Sequence, residues 1–444
     1  MRPDWQEPIA VLGYGVEGKS TLRHLQRWNF HDIVVLDSKA PTEALPAGVQ
    51  GFFGDNYLKG LQKVKTAIRS PGLRPFFVPE IVEFQNCGGI LTSQVEAAFA
   101  LAGRQRVIGV TGTLGKGTCC SLLSEMLSKG GVAHLLAGNI GVPPLDAVEK
   151  MGSRDRLLLE LSSFQLSTLN ESPDIAITLR TTSEHLDWHA SQREYWEHKA
   201  NLTQHQQDGD LCVYFADAEG SAWIGSRGSG RKISVGKNGT VRITEDSVEW
   251  PERGFHLKLS ETGLRGAFNL ENIAAAAAVA LELGVSTDAI RTAALDFSPL
   301  EHRLEFVRTV QGVSYYNDSY ATRPEASLAA ARALRDAPLG IILGGSEKFA
   351  DFSELASGLS GESHLHAIAL IGQTAPRLET ELRNAGALQR RSYRVCATLE
   401  EALEFLRSVI PAGSILLSPA CASFGLFINY KERGKAFKQL VSKL

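Results

Sequence analysis

Val107-Ile108-Gly109-Val110-Thr111-Gly112-Thr113-Leu114-Gly115-Lys116-Gly117-Thr118 is the stretch that decides how the chain is read. Val107 to Val110 reads as a buried strand that runs straight into a loop of small residues. Leu122, Leu123, Met126 and Leu127 then repeat at helical spacing until Lys129-Gly130-Gly131 supplies a stop. Strand, glycine loop and helix in that order make a phosphate cradle. Small residues let backbone N–H groups close on phosphate oxygens, the helix N-terminus adds its positive end, and Lys116 adds a full charge. The loop departs from G-x-x-x-x-G-K-[ST], because Gly117 stands where a metal-binding hydroxyl normally follows the lysine; Thr118 is the substitute one residue on. An ordinary glycine turn with a solvated lysine is the plain alternative, and the flanking strand and helix count against it.

Working outward, the N-terminal segment carries an apolar run, Ile9 to Leu12, then Gly13-Tyr14-Gly15-Val16-Glu17-Gly18, a helical stretch from Lys19 to Trp28 and a strand from Ile33 that ends at Asp37. This is a βαβ unit with an acidic residue closing its second strand, the arrangement that holds a pyrophosphate and a ribose, although a tight turn can also need its glycines for geometry alone. Downstream of the phosphate loop, strands at Leu157 to Leu161 and Ile175 to Leu179 extend a parallel sheet. The stretch from Asp208 to Leu264 reads as peripheral short strands and turns rather than helix. An alanine-rich helix from Glu271 to about Leu283 returns to the central core. Residues 296–303 link to a third module with strands at Ile341 to Leu343, Ala367 to Ile371 and Ser414 to Leu417. The expectation is an α/β protein of three domains: a Rossmann-like domain over 1–98, a P-loop ATPase-like domain with a mostly parallel sheet over 99–298, and a second Rossmann-like domain over 299–444.

Composition narrows the class. Hydrophobic residues at 43% and charged residues at 21% of 444 fit a globular protein with ordinary cores. A net charge of -3 offers no basic face for a nucleic acid. No apolar run is long enough to cross a bilayer, the first residues lack a signal-peptide pattern, and the six cysteines have neither disulfide-framework nor zinc spacing. A monomer in the reducing cytoplasm, without a membrane or nucleic-acid partner, is the expectation.

The loop Thr111 to Thr118 resembles the nucleotide loop of the Mur ligase superfamily, and Glu160-Leu161-Ser162-Ser163-Phe164-Gln165-Leu166 resembles its D-glutamate-adding branch. Further matches are Gly138-Asn139-Ile140-Gly141, His185-Leu186-Asp187, Glu301-His302-Arg303, Asn317-Asp318-Ser319, Leu343-Gly344-Gly345, and Ser418 to Ser423 followed by Asn429-Tyr430 and Glu432-Arg433-Gly434. The resemblance covers essentially the whole chain. It implies a ligase that uses ATP and Mg²⁺, with two ions, to join glutamate to UDP-N-acetylmuramoyl-L-alanine. In that scheme ATP contacts Gly112, Thr113, Leu114, Gly115, Lys116, Gly117, Thr118, Asn269, Asn272, Arg303 and Asp318. Gly13, Gly15, Val16, Glu17, Asp37, Ser70, Asn139, Ser162 and Gln165 hold the UDP-sugar, and Thr322, Lys348, Ser423, Phe424 and Tyr430 hold glutamate.

The same resemblance makes Lys116, His185 and Lys199 the catalytic group, Thr118, Glu160, His185 and Lys199 the metal set, and Lys199 an N-carboxylated lysine. By sequence alone an isolated Glu or His is more often structural, and Lys199 reads as a solvated helix residue. Beside Asn269 and Asn272, Phe268 replaces a histidine usual in the family; at the glutamate end Tyr320 stands where lysine is usual and Gly425 and Ile428 replace polar residues, so an L-glutamate-adding variant stays open. A folylpolyglutamate synthase-like ligase is the further alternative; the βαβ unit ahead of the phosphate loop favours a nucleotide-sugar.

Overall fold

Short aliphatic strands separated by helices pair in parallel, because each helix carries the chain back across the sheet before the next strand begins. In the computed structural model, which describes residues 2–444, this produces three sheets. The first holds β1 (Ile9–Leu12), β2 (Ile33–Asp37), β3 (Gln50–Phe53), β4 (Thr66–Arg69) and β5 (Ile90–Ser93), all parallel, in the order β3-β2-β1-β4-β5. Every residue of β1 is buried, as a central strand covered on both faces requires. The chain order reverses at β1, and Gly13 to Gly18 follow its C-terminal end, the position at which open parallel sheets commonly take a ligand.

The second sheet contains β6 (Val107–Thr111), β7 (His134–Gly138), β8 (Arg156–Glu160), β9 (Ile175–Thr178), β10 (Leu211–Phe215), β11 (Arg231–Gly236), β12 (Val241–Ile243), β13 (Ser247–Trp250) and β14 (Phe255–Lys258). Its order is β14-β13-β12-β11-β10-β9-β6-β8-β7. Only the β12–β13 and β13–β14 pairs are antiparallel. Here β6 lies between β8 and β9, a second reversal point, and the phosphate loop leaves its C-terminal end. The stretch from Asp208 to Leu264 does form the strands at one side of this sheet, but it also contains a helix, Glu219–Gly225, that the sequence reading missed. Two of its glycines hide the helical pattern and are there for packing: a Cβ on Gly220 would lie 2.3 Å from the Thr181 carbonyl oxygen, and one on Gly225 would lie 2.6 Å from Tyr214 Cβ.

The third sheet runs β15-β16-β20-β17-β18-β19. Its strands are β15 (Glu305–Val310), β16 (Val313–Asn317), β17 (Leu339–Leu343), β18 (Leu365–Ile371), β19 (Ser392–Cys396) and β20 (Gly413–Leu417). It is parallel apart from the β15–β16 hairpin. The chain packs as two compact units: one runs from the N-terminus through Lys258 and includes Glu271–Ala294, and the other comprises Leu259–Leu270 and Leu295–Leu444. The first unit therefore carries both the five- and the nine-stranded sheet. Among the described residues no helix is long and apolar enough to cross a membrane.

The glycines of the first loop have unequal duties. Gly13 has φ +94°, and a Cβ there would strike Ser70 Oγ at 2.5 Å. On Gly18 a Cβ would sit 2.0 Å from the Gly13 carbonyl oxygen and 3.4 Å from Val11, whereas one on Gly15 would meet nothing within 4 Å. Gly18→Ala is expected to cost about 2 kcal/mol or more through overpacking, while Gly15→Ala leaves stability nearly unchanged. Urea denaturation of the two variants measures the difference, and equal midpoints would refute the packing role of Gly18.

Candidate functional site

The phosphate loop is shaped by what presses on it. Gly112 has φ +152° with the Leu179 side chain against it, and Gly115 has φ +84° with Asn272 placed so that a Cβ would meet Asn272 Oδ1 at 2.4 Å. Neither position accepts a side chain without movement. Gly115 caps the helix Lys116–Lys129, so Lys116 is its first residue, and Thr118 sits buried in its first turn. Lys116 Nζ donates to the carbonyls of Gly112, at 2.9 Å, and Thr113, at 3.0 Å. Thr113 Oγ1 accepts from the Thr182 amide at 3.0 Å and pairs with the Tyr195 hydroxyl at 3.1 Å. Leu114, by contrast, is exposed.

Beneath this loop lies the largest departure from the sequence reading. Lys199, which by sequence alone reads as a solvated helix residue and by the resemblance as a site residue, is 1% exposed. Its Nζ donates to the Gly112 carbonyl at 2.9 Å and to Thr111 Oγ1 at 3.2 Å. Burial, reinforced by the neighbouring charge of Lys116, pushes its ammonium well below the usual lysine range, while Glu184 and Glu160 pull the other way. Ser191 caps the helix Gln192–Ala200, and Tyr195, Trp196 and Lys199 point from it into the core.

Glu160 ends β8 and is buried; its Oε1 accepts from Asn139 Nδ2 at 2.8 Å, and its Oε2 has no hydrogen-bond partner. A buried carboxylate oxygen left unsatisfied is costly, so this atom suits a cation. His185 adopts φ +57° and packs 4.7 Å from the Phe164 ring. Burial lowers its basicity; Glu184 and Asp187 oppose the shift, and Lys199 and Lys116 add to it. Among the described residues no three His, Cys, Asp or Glu side chains gather as a ready-made cation cage. Of the expected ligands, Glu160 is the one whose buried oxygen stands open to such an ion.

A short helix, Ser163–Leu166, joins this region to the N-terminal glycine loop. Ser162 and Gln165 form a capping box, and Gln165 Nε2 donates to Glu17 Oε1 at 3.0 Å. Burial raises the Glu17 carboxyl above its ordinary range despite that bond. Asp37 accepts from the amides of Tyr14, at 2.6 Å, and Lys39, at 2.9 Å; Ser70 Oγ donates to the Gly13 carbonyl at 2.9 Å, and Val16 is exposed. Gly13, Gly15, Val16, Glu17, Asp37 and Ser70 thus lie at the C-terminal ends of β1 and its neighbours β2 and β4.

In the second unit, Asp318 is buried. Its Oδ1 accepts from the Leu304 amide at 3.0 Å and its Oδ2 from Ser418 Oγ at 2.7 Å. Burial pushes its carboxyl up to about 7, with those two bonds and the charges of Arg303 and Arg433 acting in opposition. Arg433 is buried as well and donates to Ser319 Oγ, the Ser319 carbonyl and the carbonyls of Cys421 and Ala422. Ser423 is buried, Phe424, Thr322 and Lys348 are exposed, and Tyr430 lies between. Asn269 Nδ2 donates to the Arg265 carbonyl at 2.8 Å.

Comparison with known proteins joins these pieces. Residues 110–280 match the family model described as Mur ligase middle domain, and residues 302–421 match that of the Mur ligase, glutamate ligase domain. The UDP-N-acetylmuramoylalanine–D-glutamate ligase of Acetivibrio thermocellus is 33% identical, with 98% of this chain and 96% of that one covered. Its namesake from Symbiobacterium thermophilum is 34% identical over 99% of this chain and 98% of its own. The chain belongs to the Mur ligase family. The fold agrees: the MurF ligase from Thermotoga maritima in complex with ADP is 18% identical and superposes with a TM-score of 0.62 over 98% of this chain and 94% of that one.

Several groups that build the site in this Mur ligase escaped the sequence reading. Tyr195 ties Thr113 to the helix of Lys199. His189, 1% exposed, pairs with Ser163 Oγ at 2.9 Å and with His198 Nδ1 at 3.1 Å. Burial, with His198 and Lys199 nearby, pushes its imidazole down to about 3, so it stays neutral. Arg433 stood in the recognised stretch Glu432-Arg433-Gly434 without a role; His189 follows His185-Leu186-Asp187 closely, which was the available signal. In the second unit, the raised Asp318 carboxyl makes a stability prediction for this Mur ligase. A carboxyl raised from about 3.9 to about 7 stabilises the fold fully below the lower value and loses that contribution as pH rises through the upper one. Asp318→Asn is therefore expected to flatten the pH dependence of the urea midpoint between about pH 4 and pH 7 relative to the parent. Parallel profiles for the two proteins would count against the shift.

Proposed function

We propose that this chain is an ATP-dependent ligase that adds D-glutamate to UDP-N-acetylmuramoyl-L-alanine in peptidoglycan precursor synthesis. The observation that carries the reading is the phosphate loop with Lys116 at its helix start and Lys199 buried beneath the same Gly112 carbonyl, in a chain alike over nearly its whole length to ligases of that name. Three functional domains, 1–98 for the uridine diphosphate end, 99–298 for ATP and 299–444 for glutamate, follow the three sheets. The reaction belongs in the cytoplasm, where ATP is supplied, and one chain carries all the candidate residues, so a monomer suffices.

The γ-phosphoryl group of ATP passes to the alanyl carboxylate, giving an acyl phosphate and ADP. The glutamate amine, having lost a proton, then attacks the carbonyl carbon, and the C–O bond to phosphate breaks. Both partners in the first step are anions, so the protein's work is alignment and charge neutralisation rather than nucleophilic attack. Lys116 and the loop amides hold the terminal phosphates. Asn139, Ser162 and Gln165 orient the nucleotide-sugar, whose diphosphate end lies at Gly13, Gly15, Val16, Glu17, Asp37 and Ser70. Asn269, Asn272, Arg303 and Asp318 face the nucleotide, and Thr322, Lys348, Ser423, Phe424 and Tyr430 face glutamate. Glu160, Thr118 and His185 would hold Mg²⁺, which supplies Lewis-acid neutralisation of phosphate charge. The depressed basicity of Lys199 supports its carboxylation, since only an unprotonated amine adds to CO₂.

The deciding assay supplies UDP-N-acetylmuramoyl-L-alanine, ATP and each glutamate enantiomer separately and measures phosphate release. Release that requires both the nucleotide-sugar and D-glutamate is expected, and Lys116→Ala is expected to lower turnover by about a hundredfold or more. The changes at Tyr320, Gly425 and Ile428 favour the L-glutamate variant as the second reading, and a higher kcat/KM with L-glutamate would select it. For Lys199→Ala we expect a loss of about tenfold or more, partly restored by short-chain carboxylic acids; full activity without such rescue would rule out the carbamate.

A further inference from the structure

One side chain in the second unit is engaged on two sides in a way that no role assigned above requires. The Arg303 guanidinium carbon lies 3.7 Å from the centroid of the Tyr320 ring, stacked on its face. The Tyr430 ring meets Tyr320 at 5.0 Å and 87°, edge to face, and Tyr430 in turn meets His302 at 6.0 Å and 85°. The backbone behind this ladder is fixed. The Tyr320 amide donates to the His302 carbonyl at 3.0 Å, Ser319 Oγ donates to the Tyr430 carbonyl at 2.8 Å, and buried Arg433 clamps Ser319.

We propose that Tyr320 is a positioning residue that holds Arg303 and Tyr430 as one wall, and thereby sets the binding of the nucleotide and of the amino acid together. The inference rests on the functional reading above, in which Arg303 faces ATP and Tyr430 faces glutamate. The physical argument is local. Arginine has many rotamers, and a ring against its guanidinium removes most of them while leaving the N–H groups at its rim able to donate. The negative face of the ring attracts the cation, and its positive edge suits a second ring set perpendicular to it. A lysine at 320 would do the reverse, placing an ammonium beside the guanidinium of Arg303.

Three variants test this, each read by KM for ATP, glutamate and the nucleotide-sugar, by calorimetric titration with Mg-ADP, and by melting temperature. Tyr320→Phe keeps the ring and is expected to hold all values within about twofold. Tyr320→Leu is expected to raise KM for ATP and for glutamate about five- to tenfold and to weaken Mg-ADP similarly, with the nucleotide-sugar KM unchanged. Tyr320→Lys is expected to be worse, with part of the loss relieved by salt, which screens like charges. Unchanged ATP and glutamate KM in Tyr320→Leu overturns the proposal. So does a parallel rise in all three KM values with a lowered melting temperature, which a merely structural role would give. If the parent protein releases no phosphate with these substrates, the functional reading fails, and the Mg-ADP titration alone decides the ladder.

Discussion

Two lysine amines converge on the carbonyl of Gly112, and the first unit is arranged around that constraint. Lys116 reaches it from the start of its helix, and Lys199 reaches it from below. Two ammonium groups in such proximity repel, and the one held away from water surrenders its charge more readily. Lys199 is that one. Its position fixes the helix Gln192–Ala200 against β6, and this in turn requires Gly109 to lack a side chain, because a Cβ there would lie 2.5 Å from Leu202. The loop is thus held from beneath by a group whose charge state depends on its burial.

From that loop a line of hydrogen bonds and one ring contact runs to the N-terminal glycine loop. Thr113 meets Tyr195 through their hydroxyls, the Tyr195 ring packs 5.1 Å from His189, and His189 bonds Ser163 at the start of the short helix Ser163–Leu166. The capping box of that helix places Gln165 on Glu17. Arg69, buried at the end of β4, donates to the Phe164 carbonyl and Ser167 Oγ and locks the other side. A neutral His189 suits this place: a charged ring would be poorly solvated there and would face Lys199. The phosphate loop and the N-terminal glycine loop are therefore parts of one contiguous packed structure.

What the sequence revealed was mostly local. The phosphate loop, the first glycine motif and the strands beside them follow from periodicity and from turn chemistry within a few residues. Lys199 did not, because its burial depends on Thr111 and Gly112, which approach it only when the sheet forms; within Tyr195-Trp196-Glu197-His198-Lys199 it looks like any polar helix residue. The helix Glu219–Gly225 was hidden because tertiary packing against Thr181 and Tyr214 overrides the poor helical propensity of its glycines. The hairpin β15–β16 alternates polar and apolar residues on a sheet edge, a weaker signal than the buried runs of β17, β18 and β20. That the first two sheets pack as one compact unit was illegible for a similar reason, since contact between separate sheets leaves no period in the sequence.

The second unit uses the device of the first with the sign reversed. Where Lys199 loses basicity in a dry setting, Asp318 loses acidity, and each is held by backbone: Lys199 by the Gly112 carbonyl, Asp318 by the Leu304 amide. Both sit at the point where a strand gives way to a loop, Lys199 under the end of β6 and Asp318 just past β16. A fully charged group at either place would be poorly solvated, and the opposite charges nearby, Glu184 and Glu160 for Lys199 and Arg303 and Arg433 for Asp318, offset only part of that cost. Buried Arg433, with basicity lowered to about 10, completes the comparison: guanidinium keeps its proton even there, so four backbone and hydroxyl acceptors must be gathered around it. Those acceptors belong to Ser319, Cys421 and Ala422, so the cost of burying one cation is what holds the loops after β16 and β20 together.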